Sequence, residues 1–277
     1  MTAITIWFND EIPDNPSLWI AADSRVSSFS NSVLINDAAK IFTLPVVCKY
    51  PGEDGFYSKI SHYHTYGYCF AGNTLLGQNT FLALLPLLNN LVANKPYVPP
   101  MDCVAHFIFN YLSRTFDEYK VIACEKSAVE VALFGWCHAD HKPYIFHYFP
   151  RKDEKGVYII NYQKLNTYKN FFIYLGDRKD DLKQKIQEAF NGQNIAGRTL
   201  SRIPKHIIED HIQDDNYPSI GGDLQLGIAD RYGFKPFSIY KPRAIDNPED
   251  YISYLGYELH EDIKNVGDAF VGLYSMS

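Results

Sequence analysis

Apolar and polar positions alternate over residues 2–8, a stretch rich in β-branched side chains, and this period of two predicts a strand. The turn-rich run 9–16 separates it from the short apolar segment 18–22, so the two are read as a hairpin. A polar turn at 27–32 precedes two more short strands, at 33–35 and 39–43. Residues 51–55 read as loop, and the tyrosine-rich stretch 62–70 as a strand ending in Ala71-Gly72-Asn73. Asn73 or Thr74 is placed to cap a helix running to about Ala93, with a bend at Pro86. Asp102 would cap a second helix, on which Val104, Ile108, Tyr111 and Leu112 fall at helical spacing.

The second half repeats this order. Strands at 129–137 and 144–149 flank the turn 139–142, strands at 157–162 and 171–175 follow, and a helix covers 179–190. A polar loop at 191–201 leads to a helix opened by Pro204 and carrying Ile207, Ile208 and His211. Residues 223–229 and 234–240 read as a closing hairpin, and 241–277 as polar, mixed and partly helical. Strand blocks separated by helix pairs predict an α+β layered fold instead of the βαβ alternation of a doubly wound sheet.

Composition narrows the classes. With 277 residues the chain is one large domain or two small ones, and 46% hydrophobic with 15% aromatic residues excludes a disordered chain. A net charge of −6 argues against non-specific nucleic-acid binding, which needs a basic surface. Asn9, Asp10 and Glu11 interrupt the N-terminal apolar run, and the longest apolar stretch, 81–88, is short and carries Pro86. No secretory signal or membrane span is therefore expected, and the expected location is cytoplasmic. The five cysteines (Cys48, Cys69, Cys103, Cys124 and Cys137) form no CxxC pair and read as buried thiols. His62 and His64 share one strand face, but two ligands do not complete a zinc site. His138 and His141 lie in a predicted hairpin turn and read as a solvated pair. No metal or cofactor is expected, since no HExxH, GxGxxG, Walker or GxSxG pattern occurs.

The positive signal is at the start. Thr2 follows the initiator methionine and is small enough for Met1 to be removable. A chain beginning at Thr2 carries a hydroxyl and a free α-amine on one residue. An unperturbed α-amine has a pKa of roughly 7.7–8.0 and can accept the hydroxyl proton near neutral pH. Nucleophile and base then come without a histidine.

Four further stretches stand in a fixed order: Ala21-Ala22-Asp23-Ser24-Arg25, Lys40-Ile41-Phe42, Ala71-Gly72 before a helix, and Gly221-Gly222 before the closing hairpin. With Phe134-Gly135-Trp136 on a later strand, the chain over about residues 2–240 resembles the proteasome β-type family of N-terminal nucleophile hydrolases. The resemblance implies a four-layer αββα sandwich over 2–240, with 241–277 a C-terminal extension packing on the same domain or on a neighbouring subunit. It also implies Thr2 as nucleophile and its amine as base, Lys40 as the cationic neighbour, and Asp23 as the carboxylate holding Lys40. Arg25 would brace the same turn, and the Gly72 N–H would donate to the oxyanion. Val26, Phe70 and Thr74 would lie near the substrate side-chain pocket, suggesting a small-to-medium apolar preference.

Two departures stand out. The family carries Asp, two residues, then Ser-Gly-Gly; read without gaps, Tyr217 and Ile220 occupy the aspartate and serine positions here, and Asp215 and Ser219 fit only with a local insertion. A supporting serine of the family is replaced by Asp177, whose carboxylate would raise the pKa of a neighbouring amine. Three readings follow: a threonine-type peptidase, a catalytically inactive assembly or binding subunit, or a small-molecule amidohydrolase on the same scaffold. The partners implied are a peptide or protein substrate, further copies of the chain and an ATP-dependent unfoldase, with no nucleic acid and no membrane.

Overall fold

The computed structural model describes residues 2–28, 32–123, 128–192, 199–241, 250–259 and 264–276. In chain order the first half contains β1 (Ala3–Asn9), β2 (Ser17–Ala22), β3 (Val26–Ser27), β4 (Val33–Ile35), β5 (Ile41–Tyr50), β6 (Lys59–Gly72), α1 (Thr74–Leu88), β7 (Leu91–Val92) and α2 (Met101–Ala123). The middle of the chain contributes β8 (Val129–Cys137), β9 (Lys142–Lys152), β10 (Tyr158–Asn166), β11 (Phe172–Gly176), α3 (Lys179–Phe190) and α4 (Ile203–Ile212). The remainder is strand: β12 (Gln225–Asp230), β13 (Gly233–Lys241), β14 (Tyr251–Tyr254), β15 (Tyr257–Glu258), β16 (Asn265–Val266), β17 (Ala269–Phe270) and β18 (Tyr274–Met276).

The first hairpin forms as its alternation predicts, with Ile4 opposite Ala22 and Trp7 opposite Trp19. Its strands join an eight-stranded sheet in the order β11-β1-β2-β12-β13-β14-β15, with β18 pairing parallel to β13. A six-stranded sheet runs β10-β9-β8-β6-β5-β7. Three apolar clusters hold these parts together. One joins α1 and α2 to the six-stranded sheet around Tyr66, Tyr68, Ile108 and Phe116. A second joins α3 and α4 to the eight-stranded sheet around Trp7, Leu182, Ile186 and Ile208. The third draws on both sheets, with Ile4, Ile20, Ile41, Phe134 and Phe234.

The α+β class agrees with the sequence, but the four-layer αββα sandwich is corrected. The chain is 42% strand and 25% helix, and its strand-rich sheet curls. Helices α3 and α4 lie on β11, β1 and β2, while the same sheet continues past β12 into β13, β14, β15 and β18. Two ribbons, β3–β4 and β16–β17, belong to neither sheet. The physical reason is the free edge of β13: its unpaired backbone groups are satisfied by strands from the C-terminal stretch.

Other boundaries move for local reasons. Asn73 is the α1 cap, its side chain accepting from the Leu76 N–H at 2.9 Å. That helix ends at Leu88 instead of near Ala93, because Leu91 and Val92 pair with β5. Asp102 sits inside the first turn of α2, where a carboxylate favours the helix N-terminus. Strand β5 runs on to Tyr50, well past the predicted end at Thr43. Cys48, Cys69 and Cys137 are buried thiols, Cys103 is exposed, and Cys124 lies outside the described residues.

Candidate active site

The Ala21-Ala22-Asp23-Ser24-Arg25 run leaves β2 where that strand ends, so Asp23 emerges at the end of a fully buried strand beside the start of β1. Its carboxylate is wholly inaccessible and has four donors. Oδ1 accepts from Lys40 Nζ at 2.6 Å and from the Ala3 N–H at 2.8 Å. Oδ2 accepts from the Gly221 N–H at 3.2 Å and the Arg25 N–H at 3.3 Å. A buried carboxylate held this way is compensated by an opposite charge and by oriented backbone dipoles.

Lys40 enters from the residue before β5 and is 2% exposed. Burial pulls its ammonium below the ordinary lysine value, opposed by Asp23 and Asp177, with Arg25 adding to the lowering. Arg25 braces the opposite loop, donating from Nη1 to the carbonyls of Pro218 at 3.1 Å and Ile220 at 3.4 Å, and from Nε to Asn36.

Thr2 is buried and its carbonyl accepts from the Asp177 N–H at 2.8 Å. The same stretch of backbone therefore touches both Asp23, through Ala3, and Asp177. Gly176 permits this approach: its φ is +110°, and a Cβ there would stand 1.9 Å from the Thr2 carbonyl oxygen. Burial raises the pKa of Asp177, with Ser219 and Lys40 pulling the other way. Ser219 is itself buried, and its hydrogen bond to the Asp177 carboxyl is one of the causes that lower that pKa.

Asp215 is exposed on the α4–β12 loop, and among the described residues no hydrogen bond links it to Asp23 or Lys40. Ile220 packs its side chain into the α3–α4 core, while Tyr217 donates to Asp181 at 2.7 Å and accepts from Lys185 at 2.9 Å. Gly72 ends β6 opposite Val129 and is exposed. Thr74 opens α1, and Val26 on β3 is half-buried opposite Ile35. Phe70 packs in the core under α1, its ring 5.9 Å from that of Phe42. Met1 lies outside the described residues.

Gln225 was missed by the sequence reading. It is fully buried; its Nε2 donates to the carbonyls of Ala38 at 2.8 Å and Asp23 at 3.4 Å, and its Oε1 accepts from the Lys40 N–H at 3.0 Å. One side chain thus ties together the backbones that carry the ion pair. Its signal was a lone polar residue between Leu224 and Leu226 at the start of an apolar strand.

A second polar cluster lies in the six-stranded sheet. His62 and His64 share a face of β6, and His138 is half-buried against them, its Nε2 3.0 Å from His64 Nδ1. This corrects the reading of His138 and His141 as a solvated pair: the β8–β9 turn folds His138 back onto the sheet. Among the described residues no group of three His, Cys, Asp or Glu is arranged to hold a metal ion.

No family model matches this chain, and no curated protein matches it in sequence. Solved structures match it in fold. Anbu from Pseudomonas aeruginosa, solved as a helical assembly, is 14% identical, with 95% of this chain and 88% of that one covered and a TM-score of 0.55. An Anbu mutant from Hyphomicrobium sp. strain MC1 is 15% identical over 85% of each chain, with a TM-score of 0.52. Anbu from Yersinia bercovieri, an ancestral β-subunit, is 15% identical over 84% of this chain and 82% of that one, with a TM-score of 0.50. The resemblance to proteasome β-type subunits is corrected by these matches: the fold this chain shares is that of Anbu, a related proteasome-like protein.

Proposed function

We propose that this chain is a proteasome-like assembly subunit that works as a threonine-type amide hydrolase, a peptidase, once Met1 is removed. The observation that carries the reading is the buried Asp23–Lys40 pair, whose carboxylate also holds the Ala3 N–H directly after Thr2. On this reading Thr2 Oγ attacks the substrate carbonyl and passes its proton to the α-amine of the same residue. The Lys40 ammonium stabilises negative charge near Oγ and disfavours a protonated amine. The Gly72 N–H donates to the oxyanion, the C–N bond breaks with proton return to the leaving amine, and an acyl ester remains on Thr2. Water, deprotonated by the same amine, then hydrolyses that ester.

Asp177, Ser219 and Arg25 are proposed to support this centre, with Val26, Phe70 and Thr74 bordering the substrate. Residues 2–240 are proposed as the hydrolase unit and 241–277 as an addition to the same domain. The helical assembly of the P. aeruginosa protein supports self-association of this chain; an unfoldase partner and a cytoplasmic location are further parts of the proposal. Among the described residues no helix is long and apolar enough to cross a membrane.

The test is intact mass followed by incubation with a β-lactone probe. The expected result is a chain lacking Met1, with the adduct on Thr2 and none in Thr2→Ala. A second reading, an assembly subunit without catalysis, is favoured by Ile220, which sits in the core where the family pattern has a serine. A chain that retains Met1, or a Met-free chain that gains no mass, would establish that second reading.

A further inference from the structure

The C-terminal stretch reaches the Asp23 loop. Strand β14 pairs with β13, and the chain turns back at Leu255 and Gly256 into β15. Both turn residues have positive φ, +53° and +79°, the requirement of a type I′ hairpin. A leucine held in that region carries a backbone cost, and Leu255 is kept there by packing against the core between the sheets. At Gly256 a Cβ would stand 2.2 Å from Ser24 Cβ and 3.2 Å from Gln225 Nε2, so only glycine lets the turn come this close.

The two residues it presses on are those that frame the ion pair. Ser24 is fully buried; its hydroxyl donates to the Asn36 carbonyl and accepts from the Asp223 N–H at 2.7 Å. Gln225 binds the backbones of both Asp23 and Lys40. The Asp223 carboxylate in turn accepts from Lys241 Nζ at 2.5 Å and Tyr251 Oη at 3.1 Å. The contacts from Lys241, Tyr251 and Gly256 therefore fall on residues next to, or hydrogen-bonded to, the Asp23 loop.

We propose that the β14–β15 hairpin is a positioning element for the Asp23–Lys40 pair, acting through Ser24 and Gln225. As a statement about catalysis it rests on the proposed role of Thr2. The charged groups that face Lys40 are Asp23, Asp177 and Arg25. None of them is altered by a change at residue 256, so a moved Lys40 titration reports a moved pair.

The experiment uses the full chain with Gly256→Val, and Val266→Thr on the exposed β16–β17 ribbon as control. Two quantities are read: the Lys40 Nζ titration by NMR of lysine-labelled protein, and the rate at which a β-lactone labels Thr2. The expected result is a Lys40 midpoint displaced by about half a unit or more, with labelling slowed roughly tenfold or more at little change in probe affinity. Val266→Thr leaves both as in the parent. A purely structural role for the hairpin would lower the folded fraction without moving the midpoint. If Gly256→Val does not fold, Tyr251→Phe and Lys241→Met are measured the same way. An unmoved Lys40 titration overturns the proposal whatever the labelling does, and so does a moved titration with unchanged labelling. If the parent chain itself is not labelled at Thr2, a moved titration still upholds the positioning of the pair, and the reading of Thr2 falls instead.

Discussion

Two regions of this molecule bury titratable side chains, and they do so in opposite ways. At the end of β2 the Asp23 carboxylate and Lys40 ammonium meet at 2.6 Å, and both carboxylate oxygens have further backbone donors. In the six-stranded sheet, His62, His64 and His138 gather with no carboxylate among them, and Nε2 of both His62 and His64 is buried without a hydrogen-bond partner among the described residues. The first region meets the cost of burial with opposite charge and oriented N–H groups. The second meets it by giving up charge: burial lowers the pKa of all three histidines, that of His64 to about 3, with His138 adding to the effect at His62 and His64, and His141 at His138. A buried ionisable group needs a partner of opposite sign to stay charged, and without one it stays neutral.

That contrast can be broken by substitution. The largest effect is expected from Asp23→Ala, which leaves the Lys40 ammonium buried without its counter-charge. Loss of about 3–5 kcal/mol follows, a fall in Tm on the order of 10 °C by thermal scanning. Lys40→Met is expected to cost less, roughly 1–3 kcal/mol, because the Asp23 oxygens keep the Ala3, Gly221 and Arg25 N–H groups. Equal losses in denaturant titrations of the two variants would show that the backbone donors do not hold the carboxylate.

The smallest effect at neutral pH, and the sharpest in acid, belongs to the histidines. His64 has a folded pKa of about 3 against an ordinary value of 6.5. Above 6.5 it is neutral in both states, so its contribution is complete. As pH falls from 6.5 towards 3 only the unfolded chain takes the proton, and stability is lost across that window. His64→Phe is expected to leave stability at pH 7 within about 1 kcal/mol of the parent and to flatten the loss of Tm between pH 6.5 and 3. A variant with the parent's acid slope would refute the assignment of that slope to His64.

Much of the local structure was legible because short-range chemistry determines it. The hairpin of β1 and β2 follows from alternation and an intervening turn-rich run, and α2 from its spacing of Val104, Ile108, Tyr111 and Leu112. Asp23 and Lys40 were singled out by their order in the chain, and they form an ion pair across 17 positions. Phe70 shows what such reading leaves out. Adjacent to Ala71-Gly72 in sequence, it points to the opposite side of its strand from Cys69, into the core under α1, because strand side chains alternate faces. Gln225 and Gly256 were not legible as parts of the Asp23 frame, since 202 positions separate Gln225 from Asp23. The histidine cluster escaped for a similar reason, as His138 reaches His64 across 74 positions.

By itself the sequence determined most strands and helices before residue 241, a helix start at Asn73 or Thr74, and the residue types from which a charged centre near Thr2 could be built; the stretch 241–277, read as partly helical, instead contributes β14 to β18. Those properties depend on backbone propensity, period and composition, which act over a few residues. The tertiary structure alone decided which buried groups are paired, where the C-terminal strands attach, and that the eight-stranded sheet grows past its helices. Such outcomes depend on backbone edges and carboxylates finding partners tens to hundreds of positions away, and only the closed chain brings those partners within hydrogen-bond reach.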